Sequence, residues 1–248
     1  VLGVLSWGGH LCYFYNTKQD LIDVLVPYFQ AGLENNESCV WVTSKPPCKK
    51  EAEEAMSKAV PDFSRYLASG QMEFIPHTEW YFKGGNYNSK RVLNAWVDRL
   101  QRALASGYDG LRATGDTGWL ERGDWNKLIG YEEQLNDEIG GYRILAVCTY
   151  PIRRYSLPQA VSVMSHHQYN LVKNRGELTL VGSCEHGRLE EGEVKEMKES
   201  YYRVMDNADE AIFRVEPEGG HVIYANPAAE RLLGYTQADP RRSNLYRW

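Results

Sequence analysis

Short apolar runs alternate along the chain with longer segments whose apolar residues recur every three or four positions. The run 10–15 has the length and composition of a buried strand. The next segment, 20–33, has helical periodicity and begins at Asp20, a residue type that caps helix N-termini. Segment 89–105 repeats this periodicity. The pattern therefore predicts strands that alternate with helices.

The alternation extends over most of the chain and indicates a fold class. Strands are predicted over 10–15, 38–43, 71–76, 109–114, 143–150 and 178–182. Helices are predicted over 20–33, 50–59, 61–68, 89–105, 124–138 and 157–166. Strands joined by helices form mostly parallel sheets that are covered on both faces. We therefore predict an α/β domain at 1–184, with three layers and a mostly parallel sheet flanked by helices.

Residues 185–205 differ from this domain because charged side chains dominate the segment. Its apolar residues fall roughly on one face of a helix, at Leu189, Val194, Met197, Tyr201 and Val204. This composition predicts an exposed linking helix, which either simply joins two domains or forms a short coiled coil.

Residues 206–248 begin a new pattern. The strings AIFRVE and HVIYAN are typical of two strands joined by a Gly-Gly turn, and a helix is predicted to start at Pro227. This order resembles the opening of a PAS domain. The resemblance implies an incomplete PAS domain, whose unpaired hairpin edge is expected to be poorly ordered or held by a partner chain.

Composition narrows the classes of function. The 28 basic and 33 acidic side chains are interspersed and give a net charge of -5, so no basic face for nucleic acid is predicted. No apolar run approaches the roughly 18 residues that span a bilayer, and the short apolar start lacks the basic flank of a signal peptide. Five cysteines without a C-x-x-C pair argue against a disulfide framework or a zinc finger. These features predict a cytoplasmic protein that binds neither nucleic acid nor membrane.

A phosphate-binding loop would lie between the first strand and the first helix. Such a loop needs glycines for close backbone approach and a lysine followed by Ser or Thr. Here the loop reads YNTKQD, which has no glycine and no Lys-Ser or Lys-Thr pair. The sequence therefore disfavours ATP hydrolysis, and a nucleotide-binding ATPase remains an alternative.

Histidine and cysteine occupy positions that could form a metal site. His10 and Cys12 alternate along the first strand, so their side chains point to one face. Cys148 and His166 can approach them from a neighbouring strand and helix, and these residue types bind zinc. The spacing fits no zinc-finger or hydrolase pattern, and buried cysteine is commonly a small apolar filler. The sequence therefore assigns no metal ligand and no cofactor, with a metal or haem sensor as a further alternative.

Polar and aromatic residues collect where several predicted strands end. In open α/β sheets, ligands bind outside the carboxyl ends of the strands. This rule selects residues near Tyr15, Thr43, Arg112–Thr114 and Tyr150. Aromatic walls with a converging arginine suit a small molecule with a polar head. The alternative is that Arg112 pairs with Glu132 or Asp116 and only stabilises the fold.

Five segments occur in a characteristic order over 1–184, namely HLCYFY, VPYFQAGLENNESCVWVT, GYDGLRATGDTGWL, YEEQLN and AVCTYPIRRYS. In this order they resemble the methanogen/methylotroph sensory (MEDS) family. The resemblance implies a degenerate RecA/KaiC-like fold that has lost its phosphate loop. It also implies a domain that senses hydrocarbon derivatives, such as methylated or halogenated one-carbon compounds, in front of PAS and histidine-kinase modules or beside DNA-binding regulators.

The resemblance also assigns site residues. The family's characteristic positions fall on His10, Cys12, Tyr15, Arg112, Thr114, Gly115, Trp119, Tyr131, Glu132, Asn136, Cys148, Tyr150 and His166. The ligand-binding residues predicted from this set are His10, Cys12, Tyr15, Arg112, Thr114, Trp119, Tyr131, Glu132, Tyr150 and His166. The string MSHHQY departs from the family, which more usually has one His followed by Pro, so His166 and His167 remain alternatives.

Together these observations predict a cytoplasmic sensory input module and no enzymatic activity in this chain. A small-molecule effector is expected to bind at the strand ends and bias the PAS segment and a downstream histidine kinase of the same chain, within a two-component system. Dimerisation through a helix at 187–205 is expected, giving a homodimer. A purely structural interaction domain without a ligand is the remaining alternative.

Overall fold

The structure is a computed structural model that describes residues 5–45, 47–120, 125–174, 177–182, 191–207, 211–215 and 222–233. Within these residues one large sheet contains β1 (His10–Tyr15), β2 (Ser38–Thr43), β3 (Met72–Pro76), β4 (Leu111–Asp116), β5 (Ile144–Pro151), β6 (Tyr169–Asn174) and β7 (Glu177–Gly182). The strand order is β3-β2-β4-β5-β1-β6-β7. Neighbouring strands run parallel except β6 and β7, which are antiparallel. The predicted α/β class is confirmed.

Helices cover both faces of this sheet. The helices of the described residues are α1 (Lys18–Glu34), α2 (Lys49–Ala59), α3 (Phe63–Ala68), α4 (His77–Tyr81), α5 (Ser89–Ala105), α6 (Trp125–Ile139), α7 (Leu157–Ser165), α8 (Glu191–Asp206) and α9 (Pro227–Leu233). A 3-10 turn spans Ile152–Arg154 and directly follows β5.

Alternate residues of β1 separate two hydrophobic layers. Leu11 and Tyr13 pack in the layer built with α1, α2 and α3. Cys12 and Phe14 pack in the layer built with α5, α6 and α7. Because successive side chains of a strand point to opposite faces, His10 shares the face of Cys12. This second face carries most of the polar groups described below.

Two strands differ from the sequence prediction. The predicted strand at 109–114 is wrong by two residues. The observed strand, β4, begins at Leu111, where its pairing with β5 starts, and it ends at Asp116. The sequence does not predict β6, which lies between β1 and β7 and makes a hairpin with the latter. The short α4 is also unpredicted.

The linking helix α8 packs against the first domain. Tyr201 is only 2% exposed and Met205 only 5%, and both belong to the layer that contains α7. The prediction of an exposed linking helix is therefore wrong for this part of α8, because its apolar residues are buried by the chain's own core. Leu189, predicted on the same face, lies outside the described residues.

The second region begins with the predicted strand–strand–helix order. β8 (Phe213–Val215) and β9 (Val222–Ala225) are antiparallel, and α9 follows. Asn226 joins these elements to α8, since its Nδ2 donates to the Met205 carbonyl at 3.0 Å and its Oδ1 accepts from the Ile212 N–H at 2.9 Å. The sequence predicts poor order over 206–248. Residues 234–248 of that range lie outside the described residues.

None of the helices in the described segments combines the length and the apolarity needed to cross a membrane.

Candidate functional site

The start of α1, where a phosphate loop would lie, is closed by a side chain of the protein itself. Asp20 Oδ2 accepts hydrogen bonds from the backbone N–H of Thr17 at 2.9 Å and of Asn16 at 3.3 Å. The Thr17 hydroxyl accepts from the Asp20 N–H, which completes a capping box. Backbone N–H groups at this position are the donors that bind phosphate in other proteins. Here a carboxylate of the chain already uses them.

Asp116 forms a closed polar site at the carboxyl end of β4. Its oxygens accept hydrogen bonds from the Tyr15 hydroxyl at 3.1 Å and the Thr149 hydroxyl at 2.9 Å. They also accept from the Gly118 N–H at 2.7 Å and from the Ser44 hydroxyl. Burial raises the pKa of Asp116, and these donors oppose the rise. The structure thus uses Tyr15, a predicted ligand residue, to hold Asp116.

A cleft of about 1060 Å³ lies beyond the carboxyl ends of β4 and β5. Its walls include the aromatic rings of Trp119, Trp125 and Tyr155, with Arg153 and Arg154 beside them. Concave sites with apolar walls at this edge of an α/β sheet are where small ligands bind. The cleft is therefore the candidate ligand site of the described region.

Two predicted site residues, Trp119 and Tyr131, belong to an aromatic cluster beside this cleft. The Trp119 ring lies 4.8 Å from that of Tyr81 and 5.6 Å from that of Tyr87, measured between centroids. The Tyr131 hydroxyl accepts a hydrogen bond from Trp96 Nε1 at 3.1 Å, and Tyr131 is buried. Trp119 thus lines the cleft, whereas Tyr131 is buried and packs within the aromatic cluster.

Four buried residues bring metal-ligating atoms together on the α6 side of the sheet. We call His10 of β1, Cys148 of β5, Glu132 of α6 and His167, just after α7, the His/Glu/Cys cluster. One ligand atom from each lies within 4.8 Å of the others. His10 Nε2 is 3.4 Å from Cys148 Sγ and 3.4 Å from Glu132 Oε2. His167 Nε2 is 3.5 Å from the same Glu132 oxygen.

Burial sets the protonation of the His/Glu/Cys cluster. Removal from water lowers the pKa of His10 and of His167 to about 3, so both imidazoles are neutral at pH 7. Removal from water also raises the pKa of the Glu132 carboxyl and of the Cys148 thiol. The contacts therefore join neutral imidazoles to acidic groups whose charged forms are disfavoured.

Several polar atoms in and beside the cluster lack a hydrogen bond of normal geometry among the described residues. They are both carboxyl oxygens of Glu132, Nδ1 of His10 and Oδ1 of Asn136. An unsatisfied buried polar group costs about 1 to 3 kcal/mol, so several in one place indicate that the cluster serves a purpose other than stability.

Two residues next to the cluster have hydrogen-bond partners of their own. The Cys12 thiol donates to Asn170 Oδ1 of β6 at 2.8 Å. The Tyr150 hydroxyl lies 3.2 Å from His167 Nε2. Cys12 and Tyr150 therefore border the cluster without belonging to it.

Tyr155 connects the cleft to the cluster. It lines the cleft, and its ring packs edge-on against that of Tyr150, with centroids 5.7 Å apart. Tyr150 in turn contacts His167 through its hydroxyl. A change at the cleft wall thus has a short path of packed side chains to the His/Glu/Cys cluster.

Arg112 lies away from both the cleft and the cluster. The prediction that it sits at the carboxyl end of its strand is wrong, because β4 starts only one residue earlier. Arg112 Nη2 donates to Glu37 Oε1 at 2.9 Å, Nε donates to Glu37 Oε2, and Nη1 donates to the Tyr28 carbonyl at 2.9 Å. The structural alternative for Arg112 is favoured, although its partner is Glu37 rather than Glu132 or Asp116.

The remaining predicted residues are placed as follows. Thr114 is buried, and its hydroxyl has no hydrogen bond of normal geometry among the described residues. His166 stays outside the cluster and contacts the exposed Glu133 at 3.1 Å. His167 takes the buried position instead, so the structure separates the two neighbouring histidines that the sequence left as alternatives.

Sequence reasoning did not predict some residues that border the site, namely Asp116, Trp125, Tyr155 and Asn170. The string HHQYN contained a signal for Asn170, because β6, which the sequence did not predict, pairs Asn170 with Cys12 on the face of His10. The others depend on packing between elements that are distant in the sequence.

Two family models match the chain. The family described as MEDS: MEthanogen/methylotroph, DcmR Sensory domain matches residues 9–168, and a PAS domain family matches residues 199–247. No curated protein matches the chain. The first match covers more than half of the 248 residues. The chain therefore belongs to the MEDS sensory-domain family, and a PAS region follows its sensory domain.

Proposed function

We propose that this chain is the input module of a signalling protein and that a small effector binds in the cleft beyond β4 and β5. The observation that carries the proposal is the cleft itself, which is walled by Trp119, Trp125 and Tyr155 at the edge where α/β sheets bind ligands. Its position in a sensory domain that precedes a PAS region supports a role in signalling.

The start of α1 argues against a nucleotide as the ligand. A triphosphate at this edge needs free backbone N–H groups. Asp20 already accepts from two of them, and a second negative group there would be repelled by its carboxylate. We therefore propose a binding protein without nucleotide hydrolysis.

The proposed effector is a methylated or halogenated one-carbon compound. This choice of compound class is based only on the resemblance to the family. Such a molecule fills only a small part of the cleft. One wall of the cleft is aromatic where Tyr155 packs against Tyr150 and Phe14, with ring centroids 5.7 and 6.1 Å away. We expect the effector to bind against this inner wall.

The proposed output path runs through α7 and α8. Val163 of α7 lies in the layer that also buries Tyr201 and Met205 of α8. The end of α8 is bonded to the second region, since Asn226 donates to the Met205 carbonyl and Tyr224 donates to Asp206. Effector binding that favours one arrangement of these helices would bias the PAS region and, in this proposal, a downstream kinase. We further propose a cytoplasmic homodimer.

The effector prediction is tested by a thermal-shift screen with methylated amines, thiols, alcohols and halomethanes. A binding compound at a hundredfold excess over its Kd stabilises the fold by about 2.7 kcal/mol, which raises Tm by about 5 to 10 °C. Trp125→Ala is expected to reduce this rise, because it removes one wall of the cleft.

The matched control is Tyr142→Ala, which removes an aromatic ring that is 38% exposed and precedes the amino end of β5. This variant is expected to keep the full rise in Tm. An equal loss in both variants, or a rise that Trp125→Ala leaves intact, would place the ligand elsewhere. If no compound binds, and protein purified from its own host carries no ligand by native mass spectrometry, the interaction-domain alternative is favoured.

A further inference from the structure

We propose that His10, Glu132, Cys148 and His167 bind one zinc ion. The proposal goes beyond the sensing of a small effector and does not depend on where that effector binds. It rests on the geometry of the donor atoms, on the orientation of the two imidazoles and on the balance of charge at the site.

The distances between donor atoms fit one tetrahedral ion. Zinc–ligand bonds are about 2.0 to 2.3 Å, so the ligand atoms of a tetrahedral site lie about 3.3 to 3.8 Å apart. His10 Nε2 lies 3.4 Å from Cys148 Sγ and 3.4 Å from Glu132 Oε2, and His167 Nε2 lies 3.5 Å from the same oxygen. The two imidazole–carboxylate distances are longer than ordinary N–H···O hydrogen bonds, most of which measure about 2.7 to 3.2 Å.

The imidazole of His167 is oriented as a ligand. Its Nδ1 lies 2.8 Å from the Val163 carbonyl, which can only accept, so Nδ1 carries the proton. Nε2 therefore carries a lone pair, to which the Tyr150 hydroxyl donates at 3.2 Å and which the ion would take instead. Metal-ligating histidines commonly donate their other ring N–H to a backbone carbonyl in this way, which fixes the tautomer.

His10 has a corresponding partner in Asn136. The Asn136 side chain interacts with the His10 ring, and His10 Nδ1 and Asn136 Oδ1 are both buried without a hydrogen bond of normal geometry. A small adjustment that closes this pair would place the proton on Nδ1 and leave Nε2 to bind the ion. Asn136 is thus assigned as a positioning residue.

Charge balance favours a divalent cation. A thiolate, a carboxylate and two neutral imidazoles carry a total charge of -2, so one Zn²⁺ makes the buried site neutral. Binding releases the Cys148 thiol proton and any proton held by the Glu132 carboxyl, and two Zn–N bonds, one Zn–S bond and one Zn–O bond form. The ion would also satisfy the Glu132 oxygen that faces both histidines and otherwise lacks a hydrogen bond of normal geometry.

The nature of the site indicates a structural rather than a hydrolytic ion. Catalytic zinc keeps an open position for water, whereas structural zinc has four protein ligands. All four residues here are buried, and the chain supplies four donors. The ion would join β1, β5, α6 and the end of α7, so its occupancy would set how firmly α7 is held beside α8.

The test uses the whole chain without a histidine tag, stripped with a chelator and then titrated with Zn²⁺ or Co²⁺. We expect one equivalent of zinc by elemental analysis. We also expect Co²⁺ to give the intense visible bands of a tetrahedral ion, with a sulfur-to-cobalt charge-transfer band. Cys148→Ser is expected to abolish the charge-transfer band, and His167→Ala and Glu132→Gln to weaken Zn²⁺ binding by about tenfold or more.

The matched controls are the neighbouring histidine and the neighbouring cysteine. His166→Ala and Cys12→Ala are expected to keep one equivalent of zinc with unchanged affinity, because His166 contacts Glu133 and Cys12 bonds to Asn170. Circular dichroism verifies the fold of every variant, and Glu132→Gln is nearly isosteric. Folded wild-type protein that binds no zinc would overturn the proposal. Binding that survives His167→Ala, or that is lost equally in the two controls, would also overturn it.

Discussion

Replacing Arg112 with alanine is expected to lower the free energy of unfolding by about 3 to 5 kcal/mol. The side chains of Arg112 and Glu37 are only 9% and 6% exposed, and two parallel hydrogen bonds join them. Removal of the guanidinium leaves the Glu37 carboxylate buried without its main partner, and it also exposes the face of Tyr28 beneath the arginine. Equilibrium unfolding in urea measures the loss.

Two variants show whether burial causes this effect. Arg99→Ala removes a similar pair with Glu73, but that glutamate side chain is 49% exposed, so a loss of about 0 to 1 kcal/mol is expected. The double variant Arg112→Met/Glu37→Leu is expected to recover much of the stability, because no unpaired charge remains. A loss below about 1 kcal/mol in Arg112→Ala would contradict the structural role and return Arg112 to the set of ligand candidates.

Lowering the pH from 6.5 to 4.5 is expected to reduce the free energy of unfolding of the metal-free protein by about 2 to 4 kcal/mol, because of His10 and His167. Burial lowers both pKa values from 6.5 to about 3. Below pH 6.5 the unfolded chain therefore binds protons that the folded chain does not. The stability that the neutral imidazoles contribute is complete above pH 6.5, and it is lost as the pH falls towards about 3.

Other groups that face the two rings modify this loss. Burial raises the pKa of Glu132, so its titration opposes the histidines over part of the range. Burial also raises the pKa values of Cys12, Cys148 and Tyr150, so these groups do not titrate there. The electrostatic effect of His166, which lies outside the cluster, also lowers the pKa of His10 and of His167.

Urea unfolding in the presence of a chelator, repeated across this pH range, measures the effect. The double variant His10→Gln/His167→Gln is expected to flatten the pH dependence, whereas His166→Gln is expected to leave most of it in place. A wild-type stability that stays constant between pH 6.5 and 4.5, or that rises, would show that the two rings already carry protons in the folded state.

Local patterns in the sequence predicted most of the sheet because its strands are bounded apolar runs. β1, β2 and α5 have the predicted bounds of 10–15, 38–43 and 89–105. The predicted bounds of β4 are displaced by two residues, because Gly115 and Asp116 are residue types that are typical of a loop. In the fold, Gly115 is required inside the strand, since a Cβ there would lie 2.7 Å from the Tyr81 hydroxyl.

The site was less predictable because its members come from distant elements. Alternation along β1 correctly placed His10 and Cys12 on one face. The pairing of β1 with β5 then brings Cys148 into register with Cys12. Which face of α6 is buried, and therefore whether Glu132 or Glu133 enters the core, depends on tertiary packing. The choice between His166 and His167 depends on where α7 ends, and periodicity does not fix a helix end to one residue.

Isothermal titration calorimetry of the whole chain tests the central claim most directly, with the compound of largest thermal shift and ATP–Mg²⁺ compared side by side. The account predicts saturable binding of the small compound, weakened by Trp125→Ala, and no heat of binding for ATP. Micromolar binding of ATP with release of phosphate, and no binding of any small compound, would contradict it.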